Sequence, residues 1–157
     1  MNEITIYTDG SCHTQHKVGA WAAIILVDNN EILLDGHELN TTHNRMELLS
    51  VITALEYIEE QKLPFSKTTV KSDSQYVIKI KERKEKLKQA NFITKKGKEI
   101  QNKDLVIRLI KFIETIELEF IKVKAHQKKT NIRNYNIDVD KTSRKIVRNI
   151  VKEIEKQ

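Results

Sequence analysis

The fold is decided by the stretch ITIYTDGS, residues 4–11, in which an alternating, β-rich segment leads into a carboxylate and a turn. This pattern predicts a strand that ends at Asp9-Gly10-Ser11. The mostly apolar residues 19–27 predict a second strand that is buried on both faces. A short turn follows, and residues 31–39 predict its hairpin partner. The chain is therefore expected to begin with three consecutive strands.

The rest of the chain alternates between helical and strand patterns. Residues 41–44 offer N-cap side chains to a long helix that should end near Leu63-Pro64. Residues 68–72 predict a fourth strand with Asp73 at its carboxyl end. The remaining elements are a helix through about residue 88, a helix over 102–114, a strand over 117–123 and an amphipathic helix from 139 onward. The predicted order is βββαβα(α)αβα, an α/β fold whose mixed five-stranded sheet is flanked by helices.

Composition points to an ordinary globular domain. The chain has 157 residues, of which 39% are hydrophobic and 32% charged, so we expect one domain over residues 1–157. The single cysteine, Cys12, rules out an intrachain disulfide and a cysteine-based zinc site. The longest apolar run, residues 20–27, is too short to span a bilayer, and no targeting signal is evident. These features predict a cytoplasmic, monomeric protein without a membrane partner.

Charge is divided unevenly along the chain. Residues 1–66 carry a net charge of −7, whereas residues 67–157 carry +13, which together give the overall +6. A basic half of this kind is typical of proteins that bind nucleic acid, and an acidic membrane surface is the second possibility. A lysine-rich surface that only keeps the protein in solution is the alternative interpretation.

Four carboxylates occupy positions where they could form one site. Asp9 and Asp73 follow strands, and ligands in α/β sheets bind at the carboxyl ends of strands. Glu47 belongs to the first turns of the long helix, and Asp140 is expected in the first turn of the last helix, with Asp138 as its rival. Acids at helix N-termini also have a simpler role, because they interact favourably with the helix dipole. If the four converge, they require cations, and hard oxygen ligands select Mg²⁺ or Mn²⁺.

Several motifs together resemble the type 1 ribonuclease H family. They are TDGSC (8–12), TTHNRMEL (41–48), SDSQYV (72–77), VKAH (123–126) and VDK (139–141) followed by Arg144. The resemblance covers essentially the whole chain and implies a ribonuclease H-like fold. It also implies an endonuclease that hydrolyses the RNA strand of RNA–DNA hybrids with two Mg²⁺ ions, or Mn²⁺ as a substitute, and leaves 5′-phosphate products.

The resemblance also assigns roles to individual residues. The implied metal ligands are Asp9, Glu47, Asp73 and Asp140. His126 is implied to lie on a mobile loop and to assist proton transfer or product release, although a histidine between lysines can also be an ordinary solvated loop residue. Contacts to the hybrid are implied for Cys12, Gln15, Asn44 and Gln75, near the ribose 2′-hydroxyls, and for Thr42 and His43, near a phosphate of the DNA strand. Residues 79–98 correspond to a basic protrusion that grips the DNA strand, with Lys84, Lys86 and Lys88 among its cations.

Three features depart from the family pattern. The protrusion lacks tryptophan, His43 stands where a second asparagine is usual, and the loop after His126 is long, basic and without glycine. Two other functions remain open at this point. The first is a non-catalytic module that binds RNA–DNA hybrids or double-stranded RNA. The second is another metal nuclease of the same fold, which is disfavoured because Ser11 occupies the place of the glutamate in the common Asp-x-Glu exonuclease pattern.

Overall fold

The computed structural model describes residues 3–63 and 67–157 and has an α/β architecture. In chain order its elements are β1 (Glu3–His13), β2 (Val18–Val27), β3 (Asn30–Glu38), α1 (His43–Glu60), β4 (Lys67–Ser72), α2 (Gln75–Gln89), α3 (Lys103–Thr115), β5 (Leu118–Lys122) and α4 (Tyr135–Glu155). This order confirms the prediction. No helix corresponds to the bracketed α of the predicted order within the described residues: turns and one isolated bridge between Ile93 and Glu99 connect α2 to α3.

The five strands form one mixed sheet in the order β3-β2-β1-β4-β5. β1 pairs with β2 in antiparallel and with β4 in parallel orientation, and β4 pairs with β5 in parallel orientation. The parallel register of β1 ends at the pair Tyr7–Lys71, but pairing with β2 continues as far as His13. The prediction that the first strand ends at residues 9–11 is therefore wrong, and Asp9 lies inside β1.

Helices cover both faces of the sheet, and the side chains of β2 alternate between the two. Ala23 and Ile25 face the main core, which α1 supplies with residues such as Leu48 and Ile52. Ala22 and Ile24 face the opposite side, where they pack with residues that include Val139 of α4. This two-sided burial confirms the prediction from the apolar sequence of the strand. No helix within the described ranges is long and apolar enough to cross a membrane.

Two helix boundaries differ from the sequence prediction. α1 ends at Glu60, before the predicted stop near Leu63-Pro64, and Pro64 lies outside the described residues. α4 begins at Tyr135, because the side chain of Asn134 accepts a hydrogen bond from the backbone N–H of Asn136 and caps the helix. Asp140 consequently lies in the second turn of α4 and not in the first, as predicted.

Candidate active site

Three carboxylates from separate elements meet at one edge of the sheet. Asp9 comes from β1, Glu47 from the second turn of α1, and Asp73 from the residue directly after β4. Each offers an oxygen that lies within 4.8 Å of the oxygens of the other two. Three acids at this spacing repel one another strongly unless protons or cations compensate their charge.

The approach of α1 to β1 depends on Gly10. A Cβ atom at this position would lie 2.5 Å from the backbone nitrogen of Glu47 and 2.7 Å from the backbone carbon of Met46. Neither backbone atom can move without moving α1. The glycine next to Asp9 therefore permits the contact that brings Glu47 to the site.

We expect Gly10→Ala to destabilise the protein by about 1–3 kcal/mol, the usual range for overpacking a core, and to weaken binding of Mn²⁺. Gly97→Ala is the control, since a Cβ there meets no atom within 4 Å and the cost arises only from its φ of 81°. Urea unfolding and Mn²⁺ titration measure both effects. Equal Mn²⁺ affinity in the two variants would contradict the role given to Gly10.

Glu47 is buried without a hydrogen-bond donor. Its side chain is 1% exposed, and neither carboxylate oxygen has a hydrogen-bond partner among the described residues. His43 Nε2 lies 3.2 Å from Glu47 Oε1 but only 2.9 Å from the carbonyl oxygen of Gly10, and we assign the single Nε2 hydrogen to that carbonyl. A buried carboxylate in this position is costly unless a proton on a neighbouring group or a cation compensates its charge. A cation at this position would remove the cost, so the residues fit a metal ion.

The protonation equilibria of the cluster reflect the same crowding. Burial, together with the charges of Glu47 and Asp73, raises the pKa of Asp9 to about 10. Burial and the Glu47 charge also raise the pKa of Asp73, whereas contact with Glu47 raises the pKa of His43. Carboxylate oxygens are hard ligands, which Mg²⁺ and Mn²⁺ prefer.

Asp140 and His126 line the same cleft as the three carboxylates. The cleft has a volume of about 580 Å³ and is open to solvent. Asp140 Oδ2 lies 3.6 Å from Arg144 Nη1, one turn further along α4. Asp138 points elsewhere, because its Oδ2 accepts a hydrogen bond of 3.1 Å from Arg133 Nε outside the cleft. Of these two carboxylates, only Asp140 lines the cleft that contains the three-carboxylate cluster.

The structure brings some of the predicted substrate-binding residues into the cleft and leaves others outside. Those that line it are Cys12, His43, Asn44 and Gln75. Gln15 is exposed in the turn between β1 and β2, and Thr42 caps α1 by accepting a hydrogen bond from the backbone N–H of Arg45. Lys84, Lys86 and Lys88 lie on α2 and do not line the cleft.

Among the lining residues to which the sequence assigned no site role, Tyr76 and Arg144 have the largest side chains. Tyr76 follows Gln75 in α2, and its hydroxyl accepts a hydrogen bond from Asn102 Nδ2 at the start of α3. Arg144 belongs to α4 and follows the VDK motif of residues 139–141. Its spacing of four residues from Asp140 was the available signal, because residues at this spacing share a helix face.

Comparison with known proteins decides the family. A family model described as RNase H matches residues 1–148. The chain belongs to the ribonuclease H family. It is 36% identical over 132 residues to "Ribonuclease H" of Caldicellulosiruptor saccharolyticus, covering 83% of this chain and 88% of the relative. It is 37% identical over 147 residues to "Ribonuclease H" of Neorickettsia sennetsu, covering 92% of this chain and 93% of the relative.

A solved ribonuclease H structure shows the same fold. The crystal structure of LC11-RNase H1 in complex with an RNA/DNA hybrid matches 94% of this chain and 99% of its own chain, with a TM-score of 0.68 and 20% sequence identity. The mixed five-stranded sheet and its helices are thus the ribonuclease H fold. The resemblance inferred from the motifs is confirmed.

Proposed function

We propose that this member of the ribonuclease H family is a metal-dependent endonuclease that hydrolyses the RNA strand of RNA–DNA hybrids and leaves 5′-phosphate ends. The observation that carries the proposal is the convergence of Asp9, Glu47 and Asp73 in an open cleft, with Glu47 buried and without a donor. The family supports it through two relatives named ribonuclease H and through LC11-RNase H1, whose structure contains a hybrid.

Asp9, Glu47, Asp73 and Asp140 are the residues that would hold two Mg²⁺ ions, with Mn²⁺ as a substitute. When bound, such ions supply Lewis-acid activation of water and neutralise charge at the phosphate. The role of the protein is to hold the carboxylates in place. Asp9 is held by β1, and its Oδ1 accepts a hydrogen bond of 2.9 Å from the backbone N–H of Gly10. Glu47 is held by α1, where its side chain is buried. His126 is exposed on the loop beside the cleft, where its imidazole can exchange a proton with the leaving 3′ oxygen.

Recognition of the hybrid is assigned to polar groups around the cleft. Asn44 and Gln75 present amides and Cys12 a thiol where a minor groove would display 2′-hydroxyls. Because His43 Nε2 is occupied by the Gly10 carbonyl, the atom left for a phosphate of the DNA strand is Nδ1. Gln15 and Thr42, which lie outside the cleft, would contact the nucleic acid at its margins.

The lysines of the basic segment 79–98 are partly occupied by contacts within the protein. Glu114 Oε2 of α3 lies 2.7 Å from Lys88 Nζ and 3.7 Å from Lys84 Nζ. Lys86, by contrast, is exposed and makes no ion pair within the described parts of the chain. Lys84 and Lys88 must therefore exchange Glu114 for phosphates when they grip the DNA strand.

Glu114→Gln is accordingly expected to strengthen hybrid binding about two- to fivefold at low salt, with a smaller gain at high salt, because it frees Lys88 and leaves Lys84 with Glu85, 3.5 Å away, as its acidic partner. Glu99→Gln is the matched control: it removes the same charge from an exposed pair with Lys103. Fluorescence anisotropy with a labelled hybrid measures both. An equal gain in the two variants would show that α2 has no special contact with the substrate.

A substrate panel tests the proposed activity. We expect RNA cleavage in the hybrid with Mg²⁺ or Mn²⁺, and no cleavage of duplex RNA, single-stranded RNA or duplex DNA. Hybrid binding without cleavage at saturating metal would contradict the proposal and favour the non-catalytic module. Cleavage of duplex DNA would favour the other metal nuclease. The monomeric state and the cytoplasmic location stay predictions, which sedimentation and cell fractionation can check.

A further inference from the structure

The solvent-facing side of α4 carries a stripe of positive charge. With 100° between successive helical residues, five exposed cations fall within an arc of about 100°. This basic stripe consists of Lys141, Arg144, Lys145, Arg148 and Lys152. The side of the helix opposite the stripe is buried through residues such as Val139 and Ser143, so the packing of α4 keeps the stripe in solvent.

Most cations of the stripe have no acidic partner among the described residues, so their charge is free to attract a ligand. Within the described residues it makes one ion pair, between Arg144 and Asp140 at 3.6 Å. This differs from α2, where two lysines share Glu114. Uncompensated cations at successive turns of a helix create a local positive potential, which attracts polyanions.

The stripe meets the active-site cleft at Arg144. Arg144 lines the cleft together with Asp140, and the stripe then continues through Arg148 to Lys152. Eight residues of α-helix separate Arg144 from Lys152, which corresponds to about 12 Å along the helix axis. A phosphate chain that leaves the cleft beside Arg144 therefore meets a row of cations along the body of the protein.

We infer that the basic stripe binds the phosphates of an unpaired single-stranded tail that continues from the hybrid in the cleft. This inference rests on the proposed function. A duplex has a persistence length of about 50 nm, so it can reach only those cations that lie in line with the cleft. A single strand is flexible enough to follow the helix. The stripe contains no aromatic residue on which bases could stack, so the binding depends on charge and is independent of sequence.

Hybrids with and without tails test the inference. The double variant Arg148→Gln/Lys152→Gln removes two cations of the stripe outside the cleft. Lys62→Gln/Lys111→Gln is the matched control, because both lysines are exposed and lie at the end of α1 and on α3, in the helical layer on the other side of the sheet. Asp73→Asn is added throughout to prevent cleavage. The ligands are a blunt hybrid and four tailed hybrids. Each tailed hybrid carries one ten-nucleotide single-stranded tail, at the 5′ or the 3′ end of the RNA or of the DNA strand.

We expect at least one tail to lower the Kd of the control protein, and the stripe variant to lose this gain while it binds the blunt hybrid as the control does. Each phosphate contact of a single strand contributes about −0.7 to the slope of log K against log salt. Because the stripe variant lacks two cations, the slope for its complex with that tailed hybrid should be smaller in magnitude by about 1.4 than the slope for the control protein. The inference is overturned if no tail improves binding, or if both variants gain equally from it.

A further measurement separates this inference from the proposed function. With Asp73 retained, Arg148→Gln/Lys152→Gln is expected to cleave the blunt hybrid at the rate of the unmodified protein. Normal cleavage of the blunt hybrid combined with an absent tail effect would refute the stripe and leave the nuclease intact. Absence of cleavage in the unmodified protein itself would refute the proposed function.

Discussion

Asp73→Asn is expected to reduce RNA cleavage by about 10³-fold and to leave hybrid affinity within about twofold. The substitution keeps the shape of the side chain but removes one of three converging negative charges. A loss of several kcal/mol of electrostatic stabilisation at a metal-assisted phosphate reaction corresponds to a rate effect of this order. Single-turnover kinetics and anisotropy measure rate and affinity separately.

Asp138→Asn is the matched control for this experiment. Asp138 lies near the start of the same helix as Asp140, but it pairs with Arg133 and does not line the cleft. We expect it to retain normal cleavage. If Asp138→Asn reduces cleavage as strongly as Asp73→Asn, or if Asp73→Asn unfolds the protein, the assignment of Asp73 to the catalytic cluster is wrong.

The second large effect concerns the stability of the metal-free protein. The pKa of Asp9 is about 10 in the folded protein and close to 3.8, the ordinary value of an aspartate, in the unfolded chain. Between these values the folded state holds a proton that the unfolded state has released. The contribution of Asp9 to stability is therefore complete below about pH 4 and is lost progressively as the pH rises toward 10.

Asp9→Asn should abolish this loss, since the amide cannot ionise. In EDTA, we expect the free energy of unfolding of the unmodified protein to fall between pH 6 and pH 9 and that of Asp9→Asn to fall much less. Saturating Mg²⁺ at pH 8 should stabilise the unmodified protein and have little effect on the variant. Urea titrations at each pH provide the measurement. Parallel pH profiles of the two proteins would show that Asp9 is not in the crowded environment described here.

The sequence was sufficient for the architecture because its patterns are local. Alternation in residues 4–8 and the apolar run of β2 predict strands whatever surrounds them. The length of β1 could not be predicted from its own residues, because it depends on pairing with another strand. Its last residues pair only with β2, as in the pair His13–Val18. The sequence therefore predicted the end of the strand at residues 9–11, too early, and Asp9 lies within the strand.

The carboxylates of the site could be predicted from the sequence, but their burial and the ion pairs of the nearby lysines could not. Asp9, Glu47 and Asp73 could be selected from their motifs, yet the burial of Glu47 without a donor depends on how α1 packs against Gly10. The occupation of Lys84 and Lys88 likewise depends on the docking of α3, which brings Glu114 to α2 from a distant part of the sequence. Such facts arise from tertiary packing.

The most direct test of the central claim is an end-group analysis of RNA cut from a hybrid in the presence of Mg²⁺. Hydrolysis that breaks the bond to the 3′ oxygen leaves 5′-phosphate and 3′-hydroxyl ends on the RNA fragments, and ions held by the carboxylates would supply the activation of water. We predict these ends, on the RNA strand alone, with no cleavage in EDTA. Intact RNA, a cut DNA strand, or 2′,3′-cyclic phosphate ends would contradict the account.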